Sequence, residues 1–355
     1  MRTCFCGLWR RMRGEDNKVA FLHTINQVVF ANGKLANIWR RTRTFHRRCY
    51  ASSNTASRKG GDVWQKKALQ ESDSTLTPLQ RALKSGDDFI YGVTPVYAAL
   101  TVQSRNPIKC LYLQENIDFA KRKDAALLKQ IVNMAKKANI PSTTLNKGDL
   151  NNLSGQRPHQ GIILQAAPLQ VEYMEQLAWN ELSPDDAAPI WLALDEVLDP
   201  QNLGSLLRSA CFLGISGVAI CDKNSAPLSG TVSKASAGAM ELMTIHAVRN
   251  MSRFLQNSKR QGWYILGASM EDDTVDIESI HPSVPVILVL GSEGFGLRTN
   301  VHNVCDGFVA IERRLSSSCS NAHVASSLID SLNVGVAGGI LMEQLRASRH
   351  KLKSA

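Results

Sequence analysis

Between residues 190 and 311 the chain carries a series of short apolar segments that are mostly continuous and show little alternation with polar residues. Strands that are buried on both faces of a sheet have this pattern, because helices cover both sides of a parallel sheet. Helical stretches separate the segments, as is typical of a doubly wound α/β domain. The pattern therefore predicts a parallel sheet with strands at 190–194, 218–221, 243–248, 264–268, 284–290 and 307–311.

A smaller α/β domain is predicted before this sheet. Short strands are expected at 108–113 and 161–165, and apolar residues recur on one face of a predicted helix at 125–138. Polar composition predicts linkers on both sides of this domain. The predicted organisation is a linker at 51–87, a small domain at 88–168, a second linker at 169–188 and the larger domain at 189–355.

The excess positive charge of the chain lies at its N-terminal end. The formal net charge is +10, and residues 1–60 carry 13 Lys or Arg and two acidic residues, whereas the rest carries 28 basic and 29 acidic residues. An Arg-rich, acid-poor segment is typical of a mitochondrial transit peptide, and a basic RNA-binding arm is the alternative. Arg48, Tyr50 and Ala51 resemble a matrix processing site. We therefore expect residues 1–50 to be removed and the protein to work in the mitochondrial matrix.

Several classes of protein do not fit this sequence. The longest apolar run, at 284–291, is far shorter than the roughly 18–20 residues of a membrane-spanning helix. The eight cysteines form no C-x-x-C pair and no zinc-type spacing with histidine, so no metal is expected. The glycines at 291–296 do not match the dinucleotide-binding fingerprint, and 234–238 lacks the first glycine of a hydrolase nucleophile elbow. A nicotinamide dehydrogenase and a serine hydrolase are therefore not expected.

Candidate functional residues lie in three loops. Ligands of a parallel α/β sheet bind beyond the C-terminal ends of its strands, so loops at this edge are the places to search. The first loop opens a helix at about Asn202, which is expected to cap the helix, and continues through Gly204 to Arg208. An ordinary capped helix with a surface arginine is the alternative interpretation.

The second and third loops are rich in glycine or precede glycines. Residues 291–296 read G-S-E-G-F-G, and three glycines in six residues indicate a backbone conformation or a close ligand contact that a Cβ would prevent. Ser331 is the expected N-cap of the last helix, and Gly338 and Gly339 indicate that another backbone packs closely against this helix. A helix that is only capped and tightly packed would not explain why an asparagine stands at position 333.

In order along the chain, these loops resemble the motifs of the SpoU branch of the SPOUT methyltransferases. The motifs are N-x-G-x-x-x-R at 202–208, G-S-E-G-x-G at 291–296 and S-L-N-V-x-V-A at 331–337, with S-A-G-A at 236–239 between them. The resemblance extends over residues 89–167 to the small RNA substrate-binding domain of many members, which closes here with His159-Gln160-Gly161. It implies transfer of a methyl group from S-adenosylmethionine to a ribose 2′-hydroxyl of RNA.

The resemblance also implies that the C-terminal segment of the α/β domain threads through a loop to form a deep trefoil knot. The knot binds the methyl donor, and the implied contacts are Gly291, Ile311 and Leu332, with Gly296 in the same glycine-rich loop. The chain departs from the family after Ile311, where a Ser-rich segment is longer than the usual connection. We expect that segment to be a solvated loop.

For the chemistry, the resemblance implicates Arg208 in activating the hydroxyl, with Asn202, Glu293, Ser331 and Asn333 around it. An arginine stays protonated because its pKa lies above about 12, so we expect Arg208 to hold the hydroxyl or a neighbouring phosphate. Glu293 either fixes the guanidinium of Arg208 through a bidentate pair or accepts the proton itself.

The resemblance further implies a partner and an assembly state. Mitochondrial large-subunit rRNA, at a guanosine of the peptidyl-transferase region, is the expected substrate, and a homodimer is the expected form. The donor and ribose motifs are shared by tRNA and rRNA enzymes, so the choice of RNA depends on the leading domain. A tRNA 2′-O-methyltransferase and a non-catalytic RNA-binding or ribosome-assembly factor are the alternatives. Arg208, Glu293 and Asn333 argue against the non-catalytic factor, because a scaffold needs none of them.

Overall fold

The computed structural model describes residues 77–116, 122–179, 188–270, 274–312 and 331–353. The predicted transit peptide at 1–50 and the Ser-rich segment lie outside the described residues. The helices, in chain order, are α1 (Pro78–Lys84), α2 (Val93–Val102), α3 (Ala125–Lys137), α4 (Lys147–Leu153), α5 (Pro200–Phe212), α6 (Gly230–Ala235), α7 (Ala239–Leu242), α8 (Met251–Arg260), α9 (Thr299–His302) and α10 (Val334–Lys353). The strands are β1 (Asp88–Tyr91), β2 (Ile108–Gln114), β3 (Ser142–Leu145), β4 (Ile162–Ala166), β5 (Glu172–Tyr173), β6 (Ile190–Leu194), β7 (Gly217–Cys221), β8 (Ile245–Val248), β9 (Tyr264–Ala268), β10 (Val286–Leu290) and β11 (Gly307–Val309).

The first sheet has the strand order β1-β4-β2-β3. β4 pairs antiparallel with β1 and β2, and β2 pairs parallel with β3. α2 and α3 contribute Val96, Leu128 and Ile131 to the core of this sheet, and all three side chains are fully buried. The predicted strands at 108–113 and 161–165 and the predicted helix at 125–138 are confirmed as β2, β4 and α3.

Two elements of this region differ from the prediction. Residues 78–84, inside the predicted linker, form α1, because Thr77 and Gln80 form a capping box and Pro78 occupies the first helical turn. β3 was not predicted, since its four residues are mostly exposed and polar and give no apolar pattern.

The second sheet has seven strands in the order β11-β9-β10-β6-β7-β8-β5. Every neighbouring pair is parallel, which confirms the predicted parallel sheet. The six predicted strands correspond to β6 to β11. β5 adds an edge strand inside the predicted linker at 169–188, where two exposed residues are too few for a sequence pattern.

Both faces of the second sheet are covered by helices. Leu192 and Leu194 of β6 pack with Leu203 of α5, whereas Ala193 between them packs with Phe254 of α8. Successive side chains of a strand point to opposite faces, so α5 and α8 lie on opposite sides of the sheet. This burial on two sides explains the continuous apolar segments.

The last helix, α10, packs on the same face as α5. A Cβ on Gly338 would lie 2.4 Å from Leu206 Cδ2 and 2.6 Å from Leu290 Cδ1. The expectation of a close backbone at this glycine is therefore wrong, because leucine side chains occupy the space. The implied knot depends on the path of residues 313–330, which lie outside the described residues, and it stays a prediction.

Candidate active site

A cavity of about 630 Å³ opens where β9, β10 and β11 end. Its walls include Leu290 at the end of β10 and Val309 at the end of β11. This is the edge at which parallel sheets bind ligands, and the volume lies in the range of small-molecule sites. The sequence-predicted residues that line the cavity are Gly291, Glu293, Gly296, Ile311, Ser331 and Leu332. The structure thus brings together all four residues predicted to contact the methyl donor, and their binding role stays a prediction.

The glycine-rich loop at 291–296 closes on itself. Ser292 N donates to Gly296 O over 2.9 Å, and Gly296 N donates to Ser292 O over 3.0 Å. A Cβ on Gly291 would lie 2.1 Å from Gly296 O. The close approach that requires glycine at position 291 is therefore made by the loop's own backbone.

A polar cluster joins the three predicted loops. Glu293 Oε1 accepts hydrogen bonds from Asn202 Nδ2 and Asn333 Nδ2, each over 2.7 Å. Asn333 Nδ2 also donates to Asn202 Oδ1 over 2.9 Å. Val334 N donates to the same oxygen over 3.5 Å. Two side-chain amides and one backbone amide thus hold one oxygen of the carboxylate, and no hydrogen bond from a described residue occupies the other oxygen.

The helix starts beside this cluster differ from the expected ones. Asp199 caps α5, because its side chain accepts from Gln201 N over 3.1 Å and Pro200 fixes the first helical position. Asn202 is therefore not the cap; it lies buried in the first turn, where its amide reaches Glu293.

The expected cap of the last helix, Ser331, is also wrong. α10 begins at Val334, and Asn333 Oδ1 accepts from Gly335 N and Val336 N over 3.0 and 3.3 Å. Asn333 thus caps the helix with its oxygen and binds Glu293 with its nitrogen. Ser331 lines the cavity instead.

Arg208 lies apart from the polar cluster. It is exposed on α5, six residues after Asn202, so its side chain leaves the helix about 120° away from that of Asn202. The bidentate pair with Glu293 is not formed, since no described residue makes a hydrogen bond or an ion pair with Arg208. Its role toward RNA stays a prediction.

Sequence reasoning missed an ion pair that anchors the glycine-rich loop. Asp195 follows β6 and has a fully buried side chain, and Arg298 follows the loop. Arg298 Nε donates to Asp195 Oδ2 over 2.9 Å, and its Nη2 donates to Asp195 Oδ1. The hydrogen bonds to Asp195 hold the pKa of Arg298 above its ordinary value. An aspartate directly after an apolar strand was the available signal, but nothing in the sequence shows its partner.

Across the described ranges, no three or more His, Cys, Asp or Glu side chains are arranged to hold a metal ion. None of the helices that the structure describes combines the length and the apolar character needed to cross a membrane.

Comparison with known proteins identifies the family. A model of the SpoU rRNA methylase family matches residues 189–343, and a model of RNA 2′-O ribose methyltransferase substrate binding matches residues 89–172. The mitochondrial rRNA methyltransferase 1 of Schizosaccharomyces pombe is 33% identical over 300 residues, which are 76% of this chain and 93% of that protein. The chain belongs to the SpoU rRNA methylase family. This membership confirms the resemblance drawn from the motifs and the prediction of an RNA methyltransferase.

Further relatives agree with this assignment. The mitochondrial rRNA methyltransferase 1 of Dictyostelium discoideum is 37% identical over 254 residues, or 64% of this chain, which spans 46% of that longer protein. The 23S rRNA (guanosine-2′-O-)-methyltransferase RlmB of Coxiella burnetii is 32% identical over 261 residues, covering 73% of this chain and 95% of that protein.

A solved structure shares the fold. The AdoMet-bound rRNA methyltransferase from Sinorhizobium meliloti superposes with a TM-score of 0.56 at 20% identity, covering 82% of this chain and 97% of that one. This likeness confirms the α/β fold class with its parallel sheet.

Proposed function

We propose that this member of the SpoU family methylates the ribose 2′-hydroxyl of a guanosine in mitochondrial large-subunit rRNA. The observation that carries the proposal is the meeting of Asn202, Glu293 and Asn333 beside the cavity where β9 to β11 end. The relatives named mitochondrial rRNA methyltransferase support the RNA and the compartment. The relative from Coxiella burnetii is named a guanosine-2′-O methyltransferase, and this name supports guanosine as the methylated nucleotide.

S-adenosylmethionine is the methyl donor, and the cavity suits it. Leu290, Ile311 and Leu332 offer apolar walls for an adenine, and Glu293 and Ser331 offer polar groups. When bound, this molecule supplies a methyl group on a positively charged sulfur. The self-closed loop at 291–296 gives its cavity wall a fixed shape before any ligand binds.

The reaction sets two tasks for the protein. The ribose oxygen forms a bond to the methyl carbon while the carbon–sulfur bond breaks, and the sulfur keeps the electron pair as S-adenosylhomocysteine forms. The hydroxyl proton passes to an acceptor, and the unoccupied oxygen of Glu293 is the group that we assign to this task. Arg208 is exposed and does not line the cavity, so of its two expected contacts, the hydroxyl and a neighbouring phosphate, we assign it the phosphate, to which a guanidinium donates charge-assisted hydrogen bonds.

The test is methyl transfer from labelled donor to mitochondrial RNA, followed by mapping of 2′-O-methyl sites after depletion of the protein. Loss of one guanosine mark in the large-subunit rRNA is expected. Loss of a tRNA mark with all rRNA marks intact would refute the choice of RNA. Absence of transfer to any mitochondrial RNA, with RNA affinity retained, would favour the non-catalytic factor.

The mitochondrial matrix and the homodimer complete the proposal. We expect the mature N-terminus near Ala51, and protein from organelles that still begins at Met1 would favour the basic arm. Sedimentation should show a dimer at micromolar concentration, and a monomer there would contradict the proposed assembly.

A further inference from the structure

A buried ion pair joins the part of the chain that contains the first sheet to the part that contains the second sheet. We call the described residues within 77–167 the substrate-binding unit and those within 172–353 the methylase unit. Arg105 of the substrate-binding unit is 1% exposed, and its Nε and Nη2 donate to Glu241 Oε2 and Oε1 of the methylase unit over 2.9 and 3.1 Å. Its Nη1 donates to Asp88 Oδ2 over 2.6 Å and to Ala167 O over 3.2 Å. All three nitrogens of the guanidinium therefore donate hydrogen bonds.

Arg105 and Glu241 belong to different units, so their charges are paired only when the two units are in contact. Glu241 is 3% exposed and accepts a further hydrogen bond from Ser233 Oγ over 2.9 Å. Burial alone would lower the pKa of Arg105, but the hydrogen bonds and charges of Glu241 and Asp88 raise it above its ordinary value. A bidentate pair has one favourable geometry, so the pair fixes an orientation as well as a contact.

Two glycines let the units approach at backbone distance. A Cβ on Gly230 would lie 1.9 Å from Phe89 O, so α6 meets β1 without an intervening side chain. A Cβ on Gly238 would lie 3.0 Å from Thr94 O and 2.9 Å from Ala98 Cβ of α2. The S-A-G-A motif at 236–239 therefore lies at the contact between the units.

The motif that closes the substrate-binding unit lies at the same contact. Gln160 Oε1 accepts from Lys234 Nζ of the methylase unit over 2.5 Å and from Val93 N over 3.2 Å. Burial lowers the pKa of Lys234, and the charge of Asp124 opposes this shift. Neither motif lines the cavity, so their shared location assigns them a role that the active site does not provide.

We propose that Arg105 is a positioning residue, which locks the substrate-binding unit to the methylase unit in the one orientation that presents the ribose to the cavity. The inference rests on the proposed function, because it concerns RNA that is bound by one unit and methylated in the other. A misplacement of about 1 Å in a reacting group can cost on the order of 100-fold in rate. The lock therefore acts on kcat and leaves donor binding alone.

The experiment replaces Arg105 in the full chain and compares Arg105→Met with Lys259→Met. Lys259 pairs with Asp306 inside the methylase unit, so its variant removes an ion pair without touching the contact. For Arg105→Met we expect kcat on an rRNA fragment to fall at least tenfold. The donor Kd should stay within about twofold of the wild type. Hydrogen exchange should rise in segments 89–99 and 230–242 and stay unchanged in β10, and Arg105→Lys should restore part of kcat.

A second variant tests the lock without removing charge and decides the matter if Arg105→Met does not fold. Gly230→Ala pushes against Phe89 O. Its control is Gly148→Ala, at an exposed position of α4 away from the contact, where a Cβ would lie 3.1 Å from Asn146 Oδ1. Gly230→Ala should give the same loss of kcat and the same exchange pattern. Unchanged kcat with only a lower melting temperature would overturn the proposal. If the wild type methylates no RNA, the proposed function fails, whereas hydrogen exchange still reports on the lock.

Discussion

Arg298→Met tests whether the ion pair with Asp195 holds the glycine-rich loop in place. Breaking a fully buried pair costs about 3–5 kcal/mol, because the remaining charge stays buried without a partner. The Asp195 side chain is 0% exposed, but that of Arg298 is 34% exposed, so water screens part of the interaction. We therefore expect the free energy of unfolding to fall by about 2–3 kcal/mol. Donor affinity should fall as well, since the loop is a wall of the cavity.

Urea unfolding followed by tryptophan fluorescence measures this loss, and calorimetry measures donor affinity. Arg346→Met is the matched control, because Arg346 pairs with Glu343 on the surface of α10, and we expect no measurable loss there. The double variant Asp195→Asn with Arg298→Met should show a coupling energy of about 1–3 kcal/mol. A loss below about 1 kcal/mol for Arg298→Met, or simple additivity in the double variant, would refute the reasoning.

Arg208→Ala should abolish methyl transfer while calorimetry shows normal donor binding, and activity within a few-fold of the wild type would contradict its role. Gly291→Ala places a Cβ 2.1 Å from Gly296 O and should weaken donor binding in calorimetry, whereas unchanged affinity would mean that the loop shape does not matter. Asn333→Ser keeps a capping oxygen but loses the amide that donates to Glu293, so transfer should fall with little loss of stability. Asn333→Ala should lose transfer and also about 1 kcal/mol of stability, and equal melting temperatures for the two variants would count against the capping role.

The parallel sheet could be predicted because each of its long strands is buried on both faces and leaves a continuous apolar segment. β3 and β5 could not be predicted, since they are short and exposed and take their conformation from hydrogen bonds to neighbouring strands.

The sequence misplaced the starts of two helices, α5 and α10, by two or three residues. Asp199, Asn202, Ser331 and Asn333 are all competent caps, and only the tertiary contacts decide which of them binds the helix backbone.

The candidate site was predicted as three separate motifs, and their meeting follows from the rule that ligands bind where parallel strands end. The contacts within the site are another matter. Whether Glu293 binds Arg208 or two asparagines depends on the direction in which each of these side chains leaves its helix. The sequence does not give this direction once the helix starts are misplaced. The locking pair of Arg105 and Glu241 lies beyond any local pattern, because 136 residues separate its members.

The shared oxygen of Glu293 also bears on how the protein is made. Asn333 follows Glu293 by 40 residues and Asn202 by 131 residues, so a growing chain contains two members of the cluster long before the third is synthesised. Domains fold in order from the N-terminus during synthesis, and the substrate-binding unit is therefore complete before the reaction site exists. On the proposed roles, a chain truncated before Asn333 would lack the third member of the cluster and should transfer no methyl group.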